Sequence, residues 1–284
     1  MVVGWKEGLW CILIPIVASV IAALVAGPGF NQAAPILRRA LATTIWWLGL
    51  FISLAAMSGL DWWSGDDPWK RSVWPILASG LIASYCSRNT TLGLAIVTSV
   101  ACISAWIIFP TADSWKDIHP EYPFWCMAVV VSCVWNTLSM QGIATRHGHR
   151  WYLWIVVACL ASVFIMAATS YSALANWSLA FWISSFALAM YFSLRHTNWS
   201  HSLAAPLILF ASLMTATTRL FSEGRSVWIY AIVLFLPTIV CTVDYLIFDP
   251  KKIGRRVLTA AILSVFLSAV VIWQLMYAGS SESW

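Results

Sequence analysis

Apolar runs long enough to cross a lipid bilayer recur along the whole chain, and they decide what it can fold into. A transmembrane helix needs about 20 predominantly apolar residues to cover about 30 Å of hydrocarbon. Ten such segments can be drawn, at 10–27, 40–60, 72–86, 91–109, 124–143, 151–171, 177–194, 202–218, 227–248 and 257–277. Each is expected to be helical, because a strand edge in lipid leaves backbone groups without partners. Unbroken apolar runs also exclude a β-barrel, whose strands alternate in polarity. The expected fold is all-α: a polytopic transmembrane helix bundle of about ten spans. Segment 72–86 is the shortest, with Pro75 in its first turn, where a missing amide is tolerated. The tight hairpin 87–90 and the uncharged connection 172–176 leave eight or nine spans open.

Composition excludes the main alternatives. The 284 residues are 61% hydrophobic and 10% charged, against about 25% charged in a soluble domain. A disordered chain, a nucleic-acid binder and an ordinary soluble enzyme are thereby set aside. No loop is long enough for a globular domain, so residues 1–284 are read as one integral membrane domain. Lys6 beside Glu7 makes a weak signal-peptide start, and an uncleaved first helix is the better reading.

Charge placement gives an orientation. Alternate loops hold Arg38, Arg39, Arg88, Arg146, Arg150, Arg195, Lys251, Lys252, Arg255 and Arg256. The opposite side holds Lys6, Lys70, Arg71, Lys116, Arg219 and Arg225, with most of the acidic residues. Basic loop residues collect in the cytoplasm. Both termini are therefore expected outside, and the short loops suit a prokaryotic inner membrane.

The 20 tryptophans suit the headgroup belts, where the ring is apolar and its N–H stays wet. Trp46 and Trp47 are among those expected near span ends. Trp135 and Trp182 are expected deeper, packed between helices. The seven cysteines lie in or beside apolar segments without a Cys-x-x-Cys pair, and are read as small buried residues.

Residues suited to chemistry are few. His147, His149, His196 and His201 fall on the expected inner side, at spacings that match no metal or haem signature. No metal site and no cofactor is expected. His-Glu-x-x-His, Gly-x-Ser-x-Gly and the phosphate-binding glycine patterns are absent. Within the spans, the candidate functional polar residues are Asn136 and Asp244. Asn136 is placed to hydrogen-bond another helix. Asp244 lies seven residues after Pro237, which removes the helical donor of the Val233 carbonyl and makes a polar spot in the span. Expected partners are the lipid bilayer and other membrane proteins, with no nucleic acid. Three functions fit: a small-solute or lipid carrier, a scaffold or subunit of a membrane complex, and an integral membrane enzyme acting at the cytoplasmic face.

Overall fold

The computed structural model describes residues 9–27, 35–58, 90–108, 121–147, 149–168, 172–194, 200–220 and 227–247. Among these, only Gly27, Glu121 and Phe235 lie outside a helix. A π-helical turn at Leu9–Leu13 leads into α1 (Ile14–Ala26). There follow α2 (Pro35–Ser58), α3 (Thr90–Ile108), α4 (Tyr122–His147) and α5 (His149–Ala168). The last four are α6 (Ser172–Leu194), α7 (Ser200–Leu220), α8 (Val227–Leu234) and α9 (Leu236–Ile247). Pro35 and Pro123 sit in the first turns of α2 and α4, where their missing amides cost no helical bond.

The all-α class holds, but the span count is corrected. Among the described residues four helices are long and apolar enough to cross a membrane: Leu9–Ala26, Ala40–Met57, Pro123–Met140 and Leu174–Tyr191. The expectation of about ten spans is thereby overturned. Leu153–Ala168 in α5 and Leu207–Arg219 in α7 are shorter apolar helical stretches among the described residues. The segment expected at 227–248 is broken at Phe235 into helices of 8 and 12 residues. Segments 72–86 and 257–277 lie outside the described residues. The loop expected after the fifth segment is instead almost wholly helical, since α4 runs to His147 and α5 begins at His149.

The surface carries the membrane assignment independently of helix length. Leu13, Val17, Val20 and Leu24 form an exposed stripe along the first helix, and Leu37, Leu41, Leu48 and Ile52 are exposed on α2. On α4 the exposed set is Phe124, Met127, Val131, Trp135 and Leu138. Apolar stripes of this extent are costly in water and at home in lipid. The chain is a multi-pass membrane protein embedded in the bilayer.

Inside, one cluster of buried side chains draws on all nine helices. α1 packs on α2 and α6; α4 packs on α3, α7 and α9; α5 lies against α6 and α7 between these groups. Trp46 and Trp47 pack in the interior at 0% and 3% exposure instead of lying in a headgroup belt. Trp47 meets Phe181 of α6 edge-on, with ring centroids 5.8 Å apart. Trp182 is half-buried and stacks on Phe164 of α5, as expected of a packing residue. Trp135 does not pack inside and points outward. Of the cysteines, Cys11, Cys133 and Cys159 are buried, Cys126 and Cys241 are half-buried, and Cys102 is exposed. Cys86 lies outside the described residues.

Without a hydrophobic drive between helices in lipid, close approach through small residues supplies the packing. Gly49 of α2 lies directly over Ala18 of α1, and a Cβ at position 49 would stand 2.0 Å from the Ala18 Cβ. The helices must therefore part if the glycine is replaced. Gly49→Ala is expected to lower stability by about 1–3 kcal/mol, the usual range for overpacking. Thermal unfolding in detergent should show the loss, and Ala18→Gly added to Gly49→Ala should recover part of it.

Candidate functional site

Helix breaks inside a membrane leave backbone groups that the protein itself must satisfy. The break between α8 and α9 follows from Pro237, which has no amide to give the Val233 carbonyl. The helical ladder is intact up to Phe235 N–H on Ala231 O (3.1 Å) and resumes at Ile239 N–H on Phe235 O (2.9 Å). Between these bonds, the Leu234 carbonyl takes its hydrogen bond from a different helix: Asn136 Nδ2 of α4 donates to it at 2.8 Å.

Asn136 is 1% exposed, and its other end is held as firmly. Thr238 Oγ1 of α9 donates to Asn136 Oδ1 at 2.8 Å. With its single proton so used, Thr238 Oγ1 accepts from Ser139 Oγ at 3.3 Å. One turn on, the Cys241 thiol donates to the Ser139 carbonyl at 2.9 Å. Four side chains thus join α4 to both sides of the break. Asn136 lies 14 residues along a 26-residue helix, so the junction is near the middle of α4.

A small cavity adjoins the junction. Its volume is about 10 Å³, and its walls include Asn136, Cys159, Ser212, Val233, Leu234 and Pro237. Ser212 of α7 is reached from α4 by Ser132 Oγ at 3.3 Å. The walls of this space, about the size of one water, are mostly apolar side chains.

A second proline makes a second junction. In the i to i+5 pattern of the π turn, the Trp10 carbonyl would look to the amide of residue 15, which is a proline. Ser53 Oγ of α2 donates to that carbonyl instead. Next to it, Trp46 Nε1 donates to Ser184 Oγ, which is 2.7 Å from Ser19 Oγ, which donates to the Pro15 carbonyl at 2.7 Å. The indole can only donate, and when Ser19 gives its one proton to the Pro15 carbonyl, the Ser184 hydroxyl is left to donate to Ser19 Oγ. α2, α6 and α1 are fastened by these bonds.

At the end of the bundle where α4 starts and α7 stops, Arg219 pairs with Glu121 at 2.5 Å. Glu121 caps the start of α4, its carbonyl accepting from Trp125 N–H at 3.2 Å. Arg219 stands in the last turn of α7. Each charge thus opposes the dipole end it sits on, and the two oppose each other. The Arg219 guanidinium also lies 6.0 Å from the centroid of the Tyr230 ring.

Comparison with known proteins gives no match: no family model, curated protein or solved structure is similar to the chain. The site is therefore read from its own geometry.

Of the residues singled out from the sequence, Asn136 lies at the centre of the junction. Asp244 lies on α9, two turns past Pro237, with its side chain outside the described residues. His147 and His149 sit at helix ends, and His201 opens α7, all three with side chains outside the described set; His196 lies wholly outside it. Among the described residues, no three His, Cys, Asp or Glu side chains gather as a metal site would require. Sequence reasoning missed Ser53, Ser139, Ser184, Ser19 and Thr238. The available signal was a serine or threonine in a span whose neighbour carries a mid-span proline.

Asn136→Leu leaves the Leu234 carbonyl in apolar surroundings with no donor. It is expected to cost about 1–2 kcal/mol, toward the upper range for membrane hydrogen bonds because a buried acceptor is orphaned. Thr238→Val, which removes only the second bond, should cost less. Unfolding of both variants in mixed micelles, compared with the parent, checks the order.

Proposed function

We propose that this protein works as a subunit of a larger membrane assembly and docks through the outward face of α4. The observation that carries the proposal is Trp135. It is 55% exposed, although it lies well inside the span Pro123–Met140. It lies 13 residues past Tyr122 and 12 before His147, about 18 Å from the nearer end of α4, too deep for a headgroup belt. An indole N–H facing hydrocarbon has no acceptor there, and leaving a donor unpaired is costly. Phe124, Met127, Val131 and Leu138 share its face at spacings of three and four residues. Such a seam suits a partner's transmembrane helix carrying a hydrogen-bond acceptor at the depth of Trp135. Docking along α4 leaves the Asn136 junction on the inner side of the same helix undisturbed.

A carrier for a small solute or lipid is the second reading, supported by the break between α8 and α9. Broken helices with polar groups at mid-membrane are a frequent place for transported solutes. The cavity there is about 10 Å³, whereas a small-molecule site holds about 300 Å³ or more. Magnitude therefore favours the packing role for Asn136. Asp244 keeps a place in the carrier reading alone, as the one carboxylate of α9. The whole chain is taken as a single integral membrane domain. Arg38 and Arg39 support a cytoplasmic start for α2, and with it the inner-membrane location and outside termini.

A photo-reactive phenylalanine analogue at position 135 tests the docking face, with one at position 13 on the apolar stripe of the first helix as reference. After extraction from the native membrane into nanodiscs, position 135 should crosslink to one protein component in constant ratio, and position 13 to lipid. A particle of one 31.6 kDa chain, with lipid adducts at both positions, would overturn the assignment.

A further inference from the structure

Where α1 stops, α2 starts and α6 nears its end, one cation has no counter-charge among the described residues. Arg38, the fourth residue of α2, is half-buried. Its Nη1 donates to the Gly27 carbonyl, just past α1, at a long 3.5 Å, and its Nε is enclosed without an acceptor. No carboxylate among the described residues pairs with it, and the described carboxylate of Glu121 is held by Arg219. The sequence extends this deficit, for the loops expected on the side of Arg38 hold ten basic residues and one acidic residue, Asp249. A half-buried guanidinium is costly without an anion, so the anion has to come from outside the chain. Tyr191 of α6 brings its hydroxyl to the same corner, so close to Gly27 that a Cβ there would stand 3.2 Å from it.

We propose that this corner binds an anionic phospholipid through its phosphate. The guanidinium fork of Arg38 matches a phosphate in shape and charge, and the Tyr191 hydroxyl stands beside it as a further donor. Leu24 lies one turn before Gly27 on α1, and Leu41 lies one turn beyond Arg38 on α2, at 56% and 50% exposure. Both are on the bilayer side of the cation, where the acyl chains of a lipid held by its phosphate would run. Anionic headgroups face the cytoplasm, and basic pockets between helices on that side are suited to them. The inference needs the bilayer embedding of the chain and not the docking face of α4.

Native mass spectrometry of the whole chain in detergent, with phosphatidylglycerol and phosphatidylcholine supplied in equal amounts, tests the site. The two lipids carry the same phosphodiester, and only the second carries a choline cation that cancels its charge. The parent should retain one phosphatidylglycerol in preference to phosphatidylcholine, and inorganic phosphate in excess should not displace it. Arg38→Gln should weaken the preference about fivefold, the usual effect of one arginine at a lipid surface. Arg256→Gln, in a loop expected on the same side, should leave it unchanged. Should Arg38→Gln fail to fold, a photo-reactive leucine analogue at position 41 locates the lipid with Arg38 intact. Its adducts should be richer in phosphatidylglycerol than those of the same analogue at position 52, farther along α2. Equal retention of both lipids by the parent would overturn the proposal. So would displacement by inorganic phosphate, an equal loss in the two arginine variants, or adducts of one composition at positions 41 and 52.

Discussion

A backbone carbonyl that has lost its amide inside a bilayer needs another donor, and lipid supplies none. That constraint organises the structure from Trp10 to Cys241. Two prolines, Pro15 just after the π-helical turn and Pro237 just after the break, each remove an amide from the helical ladder. In each case a neighbouring helix brings a side chain to a carbonyl of the interrupted ladder: Ser53 to Trp10, and Asn136 to Leu234. Free placement of either helix is lost as a result. A tilt or slide that separates the pair leaves an acceptor unpaired in hydrocarbon, which costs more than the bond contributes when formed.

Around these fixed points, packing follows from size. Gly49 lets α2 lie on Ala18 of α1, and the Trp46–Ser184–Ser19 chain then locks α6 onto the same pair. The α5–α6 contact has its own polar tie, Trp154 Nε1 donating to Ser193 Oγ at 3.0 Å. At the bundle end, the Arg219–Glu121 pair brings together the start of α4 and the end of α7. These two ends must lie at one membrane face.

The membrane class was legible because it depends on bulk composition and run length. The number of spans was not, because run length overstates it when an apolar stretch is broken: 227–248 reads as one run but is two helices. Pro237 was read as making a polar spot within one span, whereas the helix stops before Phe235 and starts again at Leu236. Asn136 was legible because one strongly polar side chain in an apolar helix has few alternatives to an interhelical bond. Its partners were not, since a serine or threonine in a span satisfies itself locally. Thr137, Thr215 and Thr217 do so, each bonding the carbonyl four residues back. Tryptophans were misread in both directions. Depth along a span is visible in sequence, but the face of the helix is not, so Trp46 and Trp47 are inside and Trp135 is outside.

Proline breaks of this kind also give helix association a choice of partner. Small residues bring helices together with little regard to register, since glycine and alanine fit at many offsets. A carbonyl released by proline is different, for it sits at one depth and one azimuth. Among helices of similar apolarity, the one carrying a donor at that point is favoured, and any other leaves the acceptor bare. Discrimination then comes from the penalty on wrong pairings as much as from the gain in the right one. Asn136 illustrates the economy of the arrangement, because its two ends meet two different helices. The amide nitrogen holds the last turn of α8 through Leu234, and the amide oxygen holds the first turn of α9 through Thr238. A break that would otherwise let α8 and α9 move apart is thus spanned by one planar group, whose fixed width sets how far the two halves separate.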